Sequence, residues 1–218
     1  FVDMYFISSF PGAASGLAYA NFLIQAPLGI LSNSLILPLL PKISLLNKNR
    51  ESKKLEKSLK KIIEYTFFTT FFLGGIFIVL NEQIIEIIFQ RGAFNYEATS
   101  LVKNILVAYS FGIPFYLLRD LLVRIYYALE KTRLPFRLSL IGILLNILLD
   151  WAAVGSPFFN STNLLPFNFG VMGIVIASGI VNFISCIVLS SKLKIEKINI
   201  LNQYFINKII LIFIACIL

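Results

Sequence analysis

Long apolar stretches recur along this chain, and they limit what it can fold into more than any other feature. A helix that spans a bilayer needs about 17 to 25 mostly apolar residues. Five segments meet that length, namely Leu17–Leu40, Ile62–Leu80, Leu101–Leu118, Leu138–Val154 and Phe169–Ser190. Another apolar run begins near Tyr204, and Phe1–Phe10 has the composition of the end of a further span. The pattern predicts an all-α polytopic membrane protein with about six to seven transmembrane helices.

The composition excludes an ordinary soluble domain. Hydrophobic residues make up 58% of the chain, charged residues only 14%, and the mean hydropathy is +0.84. Soluble domains carry about 25% charged residues, which cover their surface. Because this chain has so few charged side chains, we expect lipid to cover much of it.

The two ends of the chain indicate a piece of a longer protein. Phe1 is not a Met and lies in an apolar run, and the last run is still apolar at Leu218. We therefore expect residues 1–218 to form a single partial transmembrane domain whose remaining helices lie outside this sequence.

The net charge of +8 is divided among the connections between spans. Connections rich in Lys and Arg alternate with connections that are not basic at each crossing. By the positive-inside rule, the basic connections are predicted to be cytoplasmic loops, namely 41–61, 124–137 and 192–208. The others are predicted to be external loops, namely 81–97 and 155–168. A nucleic-acid-binding patch would not alternate with the spans, so we predict anionic membrane lipids and no nucleic acid as partners of the basic loops.

The chain lacks the residues on which much enzyme chemistry depends. It contains no His, which removes His-based acid–base catalysis and His-ligated metal sites from this segment. Cys186 and Cys216 lie singly in apolar runs and are predicted to pack as small apolar residues. Gly74 and Gly75 are predicted to allow close helix packing. No carboxylate pair has a convincing catalytic spacing, so we predict a protein that is not an enzyme and holds no metal or cofactor.

Polar residues in the first complete span are candidate cavity residues. Asn21, Gln25 and Ser32 are spaced by four and seven residues, which places them on one helix face. Pro27 removes a backbone hydrogen bond within the same span, as in the broken helices of transporters. The two interpretations of Asn21 and Gln25, a substrate cavity and simple helix–helix adhesion, remain equally open from the residues alone.

A second group of charged residues follows the third span. Asp120 and Arg124 are spaced i, i+4 and are predicted to pair. Arg119 lies about 100° around the helix from Asp120 and can face an anionic ligand. The alternative for both arginines is that their side chains extend to the lipid headgroups, which we prefer for Arg124.

Asp3 and Asp150 are the other acidic residues that bear on the spans. Asp3 lies within the partial first helix, where it can couple transport to a proton or cation, or pair within the helix bundle. Asp150 is predicted at the external membrane boundary because Trp151 follows it, and Trp favours that depth.

Three stretches resemble motifs of the MurJ/MviN-type lipid II flippases, in the same order and at compatible distances. The first, YANFLIQAPLGILSNSLILPLLPKIS, resembles the family's segment that begins Y-A, continues with P-x-G and ends in L-P. The second, IIFQRGAFNYEAT, resembles an external R-G-x-F connection. The third, YYALEKTRLPFR, resembles a cytoplasmic Y-A-x-x-D-T-[KR]-T-P turn.

The resemblance implies a fold and a function. Such proteins have 14 helices in two lobes, and this chain resembles the second half, from the seventh helix into the thirteenth. They belong to the multidrug/oligosaccharidyl-lipid/polysaccharide exporter superfamily of the bacterial plasma membrane. They carry lipid II, the undecaprenyl-pyrophosphate-linked peptidoglycan precursor, to the outer leaflet by alternating access, for cell wall biogenesis and cell shape.

The resemblance also implies residue roles. It implies a cationic central cavity, for which the polar residues singled out above, Asn21, Gln25, Arg119 and Asp120, are the candidates, with Asp3 a candidate for ion coupling. The residues that match the family's structural motifs are Pro27, Arg91, Gly92, Thr132, Arg133 and Pro135.

The chain departs from the family at a position implied to contact substrate. Asn21 and Phe22 stand where many members have Asp and Arg, and Phe22 has no charge with which to bind pyrophosphate. Lys131 and Leu134 also replace the Asp and the second Thr of the cytoplasmic turn. Arg119 or the other lobe is therefore expected to supply the missing positive charge.

One alternative function stays open, and two others are disfavoured. The loss of the Arg leaves room for an exporter of another lipid-linked oligosaccharide, or for a drug/cation antiporter of the same superfamily. A membrane glycan transferase would need clustered carboxylates or His near one membrane face, which this segment lacks. A purely structural membrane subunit would not need the polar helix face.

Overall fold

The computed structural model describes residues 2–7, 10, 12–90, 96–154 and 170–195 of the chain. Throughout these ranges the regular structure is helical, with no strand. The α-helices are α1 (Val2–Ile7), α2 (Ala13–Leu31), α3 (Leu40–Lys48), α4 (Ser52–Val79), α5 (Asn81–Phe89), α6 (Tyr96–Ala128), α7 (Arg133–Val154) and α8 (Gly170–Ile195). The predicted all-α fold class is confirmed.

Five helical stretches are long and apolar enough to cross a bilayer. They are Ala13–Lys48, Ser52–Val79, Ala98–Ala128, Arg133–Val154 and Gly170–Leu193. Each contains most or all of one predicted span, so the five complete spans are confirmed as helices. The predicted partial span at the start contains the six-residue helix α1. The predicted run near Tyr204 lies outside the described residues.

Helix α6 is the centre of the bundle. It packs against α2, α3, α4, α5 and α8, while α7 packs against α8 and α1. Its buried side chains, among them Ile105, Ile113, Leu117 and Ile125, point in several directions around the helix. A helix with apolar side chains on several faces is stable only where other apolar groups surround those faces, which explains its central position.

Helix α7 lies at the edge of the bundle and exposes an apolar face. Leu140, Leu144 and Leu148 are 50%, 63% and 57% exposed, and they follow one another at i, i+4 spacing. Such a face is unfavourable in water but suits the hydrocarbon of a bilayer, where an apolar surface has no hydration cost.

The first span is irregular, but not where the sequence indicated. Helix α2 continues through Pro27 without ending, so the expected break at this residue is wrong. Instead, a π-helical turn at Ser32–Ile36 and a 3₁₀ turn at Leu37–Leu39 separate α2 from α3. In a regular α-helix the N–H of each residue donates to the carbonyl four residues earlier. Pro38 and Pro41 have no N–H to donate, which accounts for the change in hydrogen bonding.

The connection predicted as an external loop at 81–97 is partly helical. Helix α5 occupies Asn81–Phe89 and packs against α6 and α4. Its buried Ile85 and exposed Ile87 show that it is a short surface helix with one side against the bundle. The range predicted as a loop is therefore helical over its first nine residues, and its external position stays a prediction.

The two predicted cytoplasmic connections 41–61 and 124–137 contain the same tight helix ending. After α3, Arg50 has φ 57°, and after α6, Glu130 has φ 61°. In the second turn the Lys131 N–H donates to the Tyr126 carbonyl at 2.9 Å, and the Glu130 N–H donates to Tyr127 at 3.0 Å. This pair of bonds is a Schellman motif, which normally places Gly in the left-handed position.

Candidate functional site: a polar cavity

A polar cavity of about 390 Å³ lies among α1, α2, α6, α7 and α8. Four of the five side chains proposed from the sequence for the cavity or for ion coupling line it, and they are Asp3, Asn21, Gln25 and Arg119. They come from three different helices, and the sequence alone could not show that they share one space.

Helix α2 forms one side of the cavity, and its polar side chains there are exposed. Asn21 and Gln25 are one turn apart and both are exposed. The Gln25 Nε2 donates to the Tyr116 hydroxyl of α6 at 3.2 Å. Phe22 is 66% exposed and does not line the cavity. The two amides therefore present hydrogen-bonding groups without any charge of their own.

Arg119 supplies a positive charge to the cavity. Its Nη1 donates to the Asn182 Oδ1 at 3.3 Å, and its Nη2 donates to the Ser139 Oγ at 3.4 Å. Both partners are neutral, and no carboxylate among the described residues forms an ion pair with Arg119. A guanidinium that neutral groups hold in place keeps its full attraction for an anion.

Asp120 lies elsewhere, although it follows Arg119 directly. It accepts a hydrogen bond from the Arg124 Nε at 2.9 Å and another from the Ser32 Oγ at 3.2 Å. The predicted pairing of Asp120 and Arg124 is confirmed. Ser32 shares a helix face with Gln25 in sequence but lies about 10 Å further along the axis, beyond the cavity. Asp120 lines a separate open groove with Arg124 and does not line the cavity.

Asp3 belongs to a cluster of polar side chains at one side of the cavity. The Asn146 Nδ2 donates to the Asp3 Oδ1 at 2.7 Å and to the Asp150 Oδ2 at 3.1 Å. The Ser178 Oγ lies 3.2 Å from the Asn146 Oδ1 and 3.4 Å from the Asp3 Oδ2, within hydrogen-bond distance of both acceptors. One amide thus bridges two carboxyl groups that come from α1 and α7.

Asp150 is fully buried, so its side chain faces the interior of the bundle, while the depth at the external boundary that Trp151 indicates stays a prediction. Its Oδ1 is buried and has no hydrogen-bond partner among the described residues. Two negatively charged carboxylates held on one amide repel each other, and burial raises the cost of their charge. A proton on one of them, or a cation bound between them, lowers that cost. The i, i+4 spacing of Asn146 and Asp150 was the sequence signal that could have identified this cluster.

The oxygen atoms of this cluster are ligands of the kind that hard cations prefer. Within the described ranges, no group of three or more His, Cys, Asp or Glu side chains is placed to hold a metal ion. Any cation at Asp3 would therefore depend on amide and hydroxyl oxygens as well as on the two carboxylates.

The structural residues proposed from the sequence have mixed outcomes. Thr132 precedes α7 and its carbonyl accepts from the Phe136 N–H at 3.3 Å, while Pro135 is buried in the first turn of α7. A first-turn Pro removes no helical hydrogen bond, so it can fix the direction of the helix without weakening it. Arg133 is exposed, and Arg91 and Gly92 lie outside the described residues.

Comparisons with known proteins agree on one family. A family model described as lipid II flippase MurJ matches residues 1–218. A probable lipid II flippase MurJ of Synechocystis sp. is 38% identical over 183 residues, which cover 84% of this chain and 32% of that protein. The lipid II flippase MurJ of Thermosipho africanus is 30% identical over 198 residues, which cover 91% of this chain and 38% of that protein.

A solved structure gives the same result. It is described as lipid II flippase MurJ in an inward closed conformation, and it matches with a TM-score of 0.72 and 27% sequence identity. The match covers 98% of this chain and 43% of that chain. This chain therefore spans less than half the length of the solved structure and about a third of the two curated relatives.

Proposed function

This chain belongs to the MurJ family of lipid II flippases, and from that membership we propose that the protein moves lipid II from the inner to the outer leaflet of the bacterial plasma membrane. The family's proteins are multi-pass inner-membrane proteins, and the five helices of this chain that are long and apolar enough to cross a bilayer fit this location. The proposed role is transport rather than catalysis of a covalent reaction, in support of peptidoglycan synthesis.

The observation that carries this proposal is the position of Arg119. Its guanidinium lines a polar cavity between apolar helices and has only neutral partners among the described residues. Lipid II carries a pyrophosphate and a sugar–peptide headgroup, which hydrocarbon excludes. A fixed cation and a set of amides and hydroxyls can replace the water around that headgroup during its passage.

Asn21 and Gln25 are proposed to contact the sugars of the substrate. Amides donate and accept hydrogen bonds at once, as a sugar's hydroxyl groups do. Both side chains are exposed on the α2 side of the cavity, which leaves them accessible to a ligand. Asp120 is proposed to act outside the cavity, by holding α6 to α2 through Ser32 and pairing with Arg124.

Asp3 is proposed to couple transport to a proton or a monovalent cation. It lies at the cavity, within the cluster that includes the buried Asp150 and the bridging Asn146. Binding of a positive charge there would offset two carboxylates and draw α1 toward α7. Because Asp3 reaches both the cavity and the cluster, it can link ion binding to the state of the cavity.

A second candidate function remains for one specific reason. Phe22 replaces the Arg that many family members carry, and it is not part of the cavity lining. A weaker positive field would suit a different lipid-linked oligosaccharide, or a drug exchanged for a cation by a related antiporter. The same cavity would serve each of these substrates.

A replacement experiment tests the proposal. The gene at its full encoded length is expressed in a bacterium depleted of its own flippase, and lipid II at the outer leaflet is measured with an impermeant probe. We expect the protein to restore lipid II exposure and growth. Correct membrane insertion without lipid II exposure, in a strain where a family member from another bacterium does restore it, would favour a different substrate.

A further inference from the structure

A second cavity, of about 330 Å³, lies on the cytoplasmic side of the predicted topology, between α3 and the first half of α4. Two lysines line it from opposite helices, Lys42 on α3 and Lys61 on α4. The side chains of Ser58, Tyr65 and Thr69 line the same space, and the Thr69 hydroxyl donates to the Tyr65 carbonyl at 2.8 Å. The cleft thus combines two positive charges with several hydrogen-bonding groups, a set that fits a phosphate better than a neutral ligand.

The two lysines have no negatively charged partner within the part of the chain that the structure describes. Nearby Lys54 and Lys60 do form ion pairs, with glutamates at 2.6 Å and 2.7 Å. The Lys61 ammonium instead lies 5.6 Å from the centre of the Tyr65 ring. Lys42 and Lys61 therefore leave two positive charges uncompensated at the cleft.

The depth of the cleft suits the headgroup of a lipid. Lys42 follows the end of the first predicted span, and Lys61 directly precedes the second. Beyond Lys61, the side chains of Tyr65, Phe68 and Phe72 lie on one helix face and are 57%, 58% and 62% exposed. A charged cleft thus continues into an exposed aromatic stripe that runs toward the apolar part of the helix.

We propose that this cleft is a binding site for an anionic phospholipid of the cytoplasmic leaflet. The lipid phosphate lies between Lys42 and Lys61 with Ser58 as a hydrogen-bond donor, and an acyl chain lies along Tyr65 and Phe68. Basic pockets between transmembrane helices on the cytoplasmic side are the expected sites for such headgroups. The site differs from the substrate cavity, with which it shares no lining residue.

Native mass spectrometry of the full-length protein tests this proposal. The protein is titrated with phosphatidylglycerol or phosphatidylcholine in detergent, and bound lipid is counted. The variant Lys42→Gln/Lys61→Gln is compared with Lys53→Gln/Lys57→Gln, which removes two exposed charges of the same region outside the cleft. We expect tight phosphatidylglycerol binding to weaken about thirtyfold in the first variant and to change little in the second.

Two further measurements determine whether the bound phosphate belongs to a lipid and whether the lipid binds in the cleft. Inorganic phosphate at millimolar concentration should not displace the lipid, and Ser58→Leu, which fills the cleft without a change of charge, should weaken binding. Equal loss in both double variants would show only a general surface attraction and would overturn the proposal. Displacement by inorganic phosphate would overturn it too, because the site would then bind free phosphate.

Discussion

The carboxyl groups of Asp3 and Asp150 both accept hydrogen bonds from the Asn146 amide. This arrangement predicts that a bound cation or proton stabilises the folded protein. A cation or proton that binds only the folded protein stabilises it by mass action, by about 2.7 kcal/mol at a hundred times its Kd. We expect the melting temperature of the purified protein to rise in Na⁺ relative to choline at equal ionic strength, or on lowering the pH. Asp3→Asn/Asp150→Asn should abolish this response.

The control for that measurement is Glu86→Gln, which changes an exposed carboxylate outside the cluster. It should keep the full response to cations and pH. A response that survives in the Asp3/Asp150 double variant, or that disappears in the Glu86 variant as well, would contradict the assignment of the coupling site to this cluster.

Glu130 has a backbone conformation that a Gly would adopt at lower cost. It lies at φ 61° in the Schellman ending of α6, where an L side chain is strained. We predict that Glu130→Gly stabilises the protein by about 1 kcal/mol, measured as the free energy of unfolding in detergent. Glu130→Ala removes the same side chain but keeps the strain, so it should give no gain; equal gains would indicate an effect of charge alone.

The sequence predicted which polar residues line the cavity, but not which residues they contact. Asn21, Gln25, Arg119 and Asp3 were recognisable because polar groups in apolar spans are costly and usually face a shared interior. Asn146 was missed because Trp151 beside its i+4 neighbour Asp150 indicated the membrane boundary instead of the bundle interior. Asn21 and Arg119 lie far apart in sequence, and the group is brought together only because α2 and α8 pack against α6 while α7 packs against α8 and α1.

Two adjacent glycines in α4 differ in how closely a neighbouring helix approaches them. A Cβ on Gly74 would lie 2.9 Å from the Ser110 carbonyl oxygen of α6, whereas a Cβ on Gly75 would meet nothing within 4 Å. We predict that Gly74→Ala destabilises the protein by about 1–3 kcal/mol, because backbone must move to admit the methyl group. Gly75→Ala should not destabilise the protein and should stabilise it by about 0.5–1 kcal/mol, because Ala is the better helix former.

The free energy of unfolding of both variants is measured in the same detergent. Similar destabilisation by the two substitutions would mean that helix flexibility, rather than the contact between α4 and α6, makes the glycines necessary. The sequence predicted a packing role for the pair, and the structure assigns that role to Gly74 alone.

Helices were predictable where the apolar pattern was long, and less so where proline changed the hydrogen bonding. Pro27 suggested a break because its missing N–H frees a carbonyl, yet α2 continues through it. Pro38 and Pro41 stand in the segment where the helix does change to π and 3₁₀ turns. Two prolines three residues apart disturb two successive turns, whereas the helix tolerates a single one.

The alternation of basic connections predicts which side of the membrane each loop occupies. Asn49 lies in the turn between α3 and α4, and Gln90 follows α5 at the other end of α4. In a protein with Cys186→Ala and Cys216→Ala, we expect Gln90→Cys to react with an impermeant maleimide in intact cells. Asn49→Cys should react only after permeabilisation. The reverse labelling pattern would contradict the predicted orientation.

The central claim is that the cavity around Arg119 carries an anionic lipid headgroup across the membrane. The most direct test is the amount of lipid II exposed at the outer leaflet of a flippase-depleted bacterium that expresses Arg119→Gln. The control is Arg137→Gln, which changes an exposed arginine on α7 outside the cavity. The two variants are compared at equal amounts of protein in the membrane. We predict at least about a tenfold loss for Arg119→Gln, since hydrogen bonds to charged groups contribute about 1.5–3 kcal/mol, and no loss for Arg137→Gln. Full exposure with Arg119→Gln would contradict the account.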